Sequence, residues 1–183
     1  PEMLGFLSTY IPITILVSLL TLFLGSMIIK MVYDSTRKKL SLGVAAKFVL
    51  SRYITLLAAS VLYFLITLVG VVAFIIPGIF LAVKLIFYDY VILIDKLGVT
   101  DSLEKSWKIV KGRWWGVFGL TLILSVISFA LAFALGVLGG LLSGLSEALS
   151  EVIWLATQFL ITLFIFPWYT SSLAFAYLQL RKK

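Results

Sequence analysis

The residues best placed to do chemistry are Lys84 and Asp89, which stand in the stretch IIPGIFLAVKLIFYDYVILID between residues 75 and 95. A charge at the centre of a membrane helix costs about 2.5 to 3.5 kcal/mol on insertion scales, so two of them in an apolar run mark a candidate intramembrane polar site. Five positions apart, they point roughly 140° away from each other on a helix. That spacing excludes the i,i+4 ion pair and sends them toward different neighbours. The chemistry on offer is that of the polar site of a transporter or lipid-handling protein. The plainer alternative has Lys84 snorkelling outward and Asp89 meeting a tyrosine or a basic residue of a cytoplasmic helix. Acid-base catalysis has little to draw on, because the chain has no histidine and its carboxylates do not pair at a suitable spacing. The absence of cysteine excludes disulfides and thiolate metal sites. The expectation is a protein that is not an enzyme and uses neither metal nor cofactor.

The elements that position these two charges follow from composition. The chain of 183 residues is 62% hydrophobic and 13% charged, with a mean hydropathy of +1.17. A soluble domain of this size could not bury that much apolar surface. Several apolar stretches of about 20 residues can each cross the roughly 30 Å of a bilayer core, whereas the short alternating segments of a transmembrane barrel are missing. The fold class is therefore all-α: a polytopic helical membrane protein forming one transmembrane domain over residues 1–183.

Five spans are visible, at about 10–33, 53–76, 79–94, 115–138 and 152–178. Pro12 falls in the opening turn of the first, the Pro77-Gly78 pair closes the second, and Pro167 kinks the fifth. The third is short, which favours packing within protein over contact with lipid. Ser41 reads as the cap of a short amphipathic helix carrying Lys47 and Arg52. Asp101 and Glu104 resemble a capping box that opens a second one. The stretch 139–150, rich in glycine and serine and without a basic residue, reads as a loop on the far side of the membrane.

Fourteen of the fifteen basic residues fall in or beside residues 30–52, 96–113 and 181–183, all on one side of a five-span path. By the positive-inside rule that side is cytoplasmic. The start of the chain is then outside, and one further span ahead of Pro1 would give six with both ends inside. The net charge of +7 accordingly speaks for anionic lipid headgroups rather than nucleic acid.

In the segment SLEKSWKIVKGRWW, residues 102–115, Leu103, Trp107, Val110 and Trp114 share a helical face, while Lys105, Lys108 and Lys111 lie on others. With Arg113 and Trp115, this is the pattern of a basic helix in the headgroup plane, its tryptophans fixing depth. The competing view makes Trp107 a core residue plugging the end of the bundle. Ser128, Ala132, Gly136, Gly140 and Gly144 form a small-residue ladder that admits a close helix: another copy of the chain, a second membrane protein, or the fifth span. The sequence Leu-Gly-Val recurs at Leu42 and Leu97, each time ahead of a basic stretch and a span, which suggests an internal repeat of about 10–76 and 79–140.

Residues 75–120 resemble a broad prokaryotic family of multi-pass membrane proteins that includes the membrane domain fused to some glycerophosphodiester phosphodiesterases. The matching positions are Pro77, Gly78, Lys84, Asp95, Leu103, Lys105, Ser106, Trp107, Gly112, Arg113 and Trp114. The resemblance implies six spans and a membrane location. The phosphodiester chemistry of the fused proteins belongs to a separate soluble domain whose metal site uses histidines, and this chain has none.

The expected function is an accessory or structural module that organises lipids or partner proteins. The main competitor is a transporter or lipid-handling protein built around Lys84 and Asp89. No selectivity filter for a channel is legible.

Overall fold

The computed structural model describes residues 2–37, 41–143 and 161–181, together with 152, 153, 156, 157 and 159. Every regular element among the described residues is helical. They are α1 (Glu2–Ser35), α2 (Leu42–Ala73), α3 (Ile75–Leu85), the short α4 (Tyr88–Tyr90), α5 (Val99–Val110), α6 (Trp114–Ser143) and α7 (Phe166–Arg181). A π-helical turn, Val91–Asp95, extends α4, and another, Ile161–Ile165, precedes α7. Four helical segments are long and apolar enough to cross a membrane: Ile11–Ser35, Leu42–Ala73, Ile75–Asp95 and Trp114–Leu141. Part of the expected fifth span, 152–178, lies outside the described residues; its last stretch is α7.

Several boundaries depart from the sequence reading. Helix α1 runs through Pro12, which sits in its third turn and not its first. In an apolar solvent the backbone has no partner outside a helix, so a proline is carried along. The amphipathic stretch after Ser41 is no separate element but the first turns of α2, and Ser41 holds the capping position without a side-chain capping bond. Ala45, Val49, Leu56 and Ala59 form one buried stripe along α2 that crosses the expected boundary, so a single face ties both parts to the core. The hydroxyl of Tyr53 donates to the carbonyl of Leu19 at 2.7 Å, fastening α2 to α1. Helix α6 likewise continues to Ser143, through the start of the expected loop.

The turn between α2 and α3 is made by Phe74, which is extended (φ −163°, ψ 145°), and not by the Pro77-Gly78 pair. Pro77 stands in the first turn of α3, where its missing N–H would find no partner in any case. Gly78 serves packing. A Cβ added there would come within 2.3 Å of the Val71 side chain and 2.7 Å of its backbone nitrogen, and one on Gly70 within 3.0 Å of Gly78 Cα. The pair of glycines lets α2 and α3 lie backbone against backbone.

The third span is the pillar of the core: 44% of it is buried, against 17% or less of the other three. It is not one helix. α3 stops at Leu85, Ile86 and Phe87 form a turn, and the chain resumes as α4 and the π-helical turn before Lys96 enters the left-handed region (φ 61°). Phe87, Tyr90, Val91, Ile92 and Leu93 fill the centre, contacted by Val49 and Leu56 of α2, Val110 of α5, Val117 and Leu124 of α6, and Leu173, Ala174 and Tyr177 of α7. Pro167 falls in the first turn of α7. The π-helical turn Ile161–Ile165 directly precedes α7, so the backbone leaves α-helical geometry where the sequence places a kink.

Candidate functional site

Lys84 and Asp89 do not meet. The break at Ile86–Phe87 separates them, and each faces a different set of elements. Lys84 is buried (6% exposed), with its Nζ 5.0 Å from the Trp107 ring centre and 5.5 Å from that of Phe80. No carboxylate lies within ion-pair distance of it among the described residues. Its charge is held by ring faces, a cation–π arrangement that gains strength where water is scarce.

The break itself is held by Ser106 of α5. Its hydroxyl donates to the Lys84 carbonyl at 3.0 Å and accepts from the Phe87 N–H at 3.1 Å, satisfying backbone groups that the interrupted helix frees. This orients α5. Its buried face is Ser102, Leu103, Ser106 and Val110, rather than the expected line through Trp107 and Trp114. The helix begins at Val99, capped by Gly98 without a side-chain bond, so Asp101 and Glu104 do not form a capping box.

Asp89 opens on a cleft of about 340 Å³ between α1, α2, α4 and α7, shared with Ser26, Tyr63, Tyr88, Tyr169 and Thr170. One carboxylate oxygen accepts the Tyr90 N–H at 2.9 Å. No basic side chain pairs with it among the described residues. The rings of Tyr63 and Tyr88 stack beside it at 5.1 Å.

Sequence reasoning placed Asp95 just past the third span and among the positions of the family resemblance, without giving it a partner. It is a hub. Its carboxylate, 4% exposed, pairs with Lys105 of α5 and with Arg181 of α7, each at 2.7 Å, and accepts a hydrogen bond from the Tyr177 hydroxyl. The available signal was the i,i+4 spacing of Tyr177 and Arg181, which puts both on one face of α7.

Beside this hub lies an open cavity of about 730 Å³, lined by Lys105, Lys108, Lys111, Arg113 and Arg181 with Asp101 and Glu104. Four of the expected headgroup residues thus share one site with Arg181. Lys108 pairs with Glu104 on the exposed surface, and this hydrogen-bonded cation holds the Glu104 carboxyl below its usual range. Arg113 reaches the Leu180 carbonyl at 3.4 Å. Trp114 is half-buried, stacked on Phe118 at 4.9 Å and donating to the Phe80 carbonyl at 3.3 Å, whereas Trp115 is 78% exposed. Trp107, 37% exposed, is part surface and part lid over Lys84.

Part of the small-residue ladder and much of the stretch that could face it lie outside the described residues. Ala132 is half-buried, Gly136 and Gly140 are exposed, and Gly144 lies outside the described residues. The close approach is one register away, at Gly139, where a Cβ would meet Thr157 at 3.1 Å and Ile153 at 3.4 Å. No group of three potential metal ligands occurs among the described residues.

The sequence profile of a family described as a domain of unknown function, DUF7847, matches residues 13–180. The chain belongs to the DUF7847 family. The match spans α1 to α7 and contains the Asp89 cleft, the Ser106-pinned break and all but one of the residues that surround Asp95. No curated protein and no solved structure matches this DUF7847 chain.

Proposed function

We propose that this DUF7847 protein is an accessory module of the cell membrane, with its basic segments cytoplasmic, that gathers anionic lipid headgroups at the corner of α5 and α7. The observation that carries the reading is the basic cavity. Five cationic side chains face one open volume, answered by Asp101 and Glu104 at its edge and by the buried Asp95 behind Lys105 and Arg181, which leaves a cationic excess beside the exposed indole of Trp115, a residue suited to the headgroup layer. The large apolar faces of α1, α2 and α6 fit lipid tails or a partner helix. The likeness of residues 75–120 to membrane domains fused to phosphodiesterases supports a role beside an activity carried on another domain or chain.

The test is lipid binding by the purified chain in discs of phosphatidylcholine doped with phosphatidylglycerol. Selective enrichment of phosphatidylglycerol around the protein, weakened by salt and by the pair Lys108→Gln and Lys111→Gln, is the expected result. Equal association with both lipids would overturn the reading.

A further inference from the structure

The Asp89 cleft is apart from the basic corner, on the side of the third span that faces α1, α2 and α7. Its composition is unusual for membrane depth. Asp89 brings a carboxylate with no basic partner among the described residues. Ser26 on α1 brings a hydroxyl that is 2% exposed and lacks a hydrogen-bond partner among the described residues. Tyr63, Tyr88 and Tyr169 bring three aromatic rings.

Each feature restricts what the cleft can hold. An anion is repelled by Asp89. An acyl chain would leave both the carboxylate and the Ser26 hydroxyl unsatisfied, at a cost for each buried polar group. A hard divalent cation wants six or more oxygen ligands, and one carboxylate flanked by rings does not supply them. A cation that is itself partly apolar satisfies all three: it neutralises the carboxylate, rests against ring faces and, where it carries an N–H, donates to the serine. The volume, about 340 Å³, is at the small end of the range for ligand sites.

We propose that this cleft is a binding site for an organic ammonium group, with Asp89 as counter-ion, Tyr63, Tyr88 and Tyr169 as its aromatic wall, and Ser26 as hydrogen-bond acceptor. Such a group can arrive as a free small amine or as the headgroup of an aminophospholipid.

The test uses the full chain in phosphatidylglycerol discs with labelled ethanolamine as probe. Saturable binding is expected, weakened about tenfold or more by Asp89→Asn and by a smaller factor in Ser26→Ala and Tyr63→Leu, which leave the carboxylate in place. Lys108→Gln, in the basic corner, should leave it unchanged, so the two sites fail independently. Discs containing phosphatidylethanolamine separate the sources. If the lipid is the ligand, it competes with free ethanolamine and co-purifies with the native chain but not with Asp89→Asn. If a free amine is the ligand, the affinity is the same in both discs. Absence of saturable binding in the phosphatidylglycerol discs, binding by Asp89→Asn as tight as by the native chain, or equal competition by sodium would each overturn the assignment.

Discussion

Ser106 and Phe87, nineteen residues apart, are joined by the hydrogen bond that lets the third span break: the Phe87 N–H donates to the Ser106 hydroxyl at 3.1 Å while that hydroxyl donates onward to Lys84. Both residues are fully buried, so no water replaces the serine if it is removed. Ser106→Ala leaves a buried N–H and a buried carbonyl short of a partner and should destabilise the fold by about 1–3 kcal/mol. Ser106→Thr, which keeps the hydroxyl, should recover part of it. Unfolding in a graded denaturing detergent measures both.

Asp95 answers two cations and a tyrosine from within the protein. Asp95→Asn should cost about 2–3 kcal/mol, less than the loss of a fully buried pair, because Lys105 and Arg181 are 37% and 34% exposed and can turn to water. The variant should also loosen the end of α7, read as faster hydrogen exchange near Tyr177. Unchanged exchange there would show that α7 is held by apolar packing alone.

The two glycine sites should behave oppositely. Gly78→Ala drives a methyl into Val71 and should destabilise by about 1–3 kcal/mol or more, since the obstacle includes rigid backbone. Gly136→Ala, where a Cβ meets nothing within 4 Å, should be neutral or slightly stabilising through helix propensity. Thermal unfolding of the two variants in one detergent makes the comparison. A damaging Gly136→Ala would reveal a partner helix on that face.

Orientation is open to a direct assay in a chain without native cysteine. Cysteines at Ser41, Thr100 and Ile76 are all on exposed positions. An impermeant thiol reagent added to intact cells should label only Ile76→Cys, in the first turn of α3 beside the Phe74 turn, and should reach the other two after the membrane is opened. Labelling of Ser41→Cys or Thr100→Cys in intact cells would reverse the topology.

Much of this architecture was legible because apolar run length and helical spacing are local properties. The long helices follow from hydropathy, whereas the third span, expected to be buried because it looked short, is buried although it runs over 21 residues, Ile75–Asp95. What was not legible depends on contacts far along the chain. The break at Ile86–Phe87 contains no glycine or proline, and only Ser106 on another helix makes it tolerable. The turn at Phe74 competes with a stronger local signal at Pro77-Gly78, and loses nothing because Gly78 is needed to touch Val71. The separation of Lys84 from Asp89 was readable from spacing, and a tyrosine beside Asp89 was among the readings; Lys84 does not snorkel outward but is buried under the rings of Phe80 and Trp107, which its spacing did not show. The pairing of Asp95 was not legible because it joins side chains from two other helices, Lys105 and Arg181.

The close contact of Gly70 and Gly78 also bears on how the chain enters a membrane in the first place. The segment Ile75–Asp95 has a hydropathy of 1.9, against 2.5 for Leu42–Ala73, and it alone among these spans carries both a lysine and an aspartate deep within it. On its own it is the poorest candidate for insertion. Joined by a one-residue turn and laid backbone to backbone on α2, it has a strongly apolar partner already beside it when it leaves the translocation machinery. The glycine pair makes the polar span and its neighbour a close-packed hairpin, the form in which the poorer span is best suited to enter a bilayer.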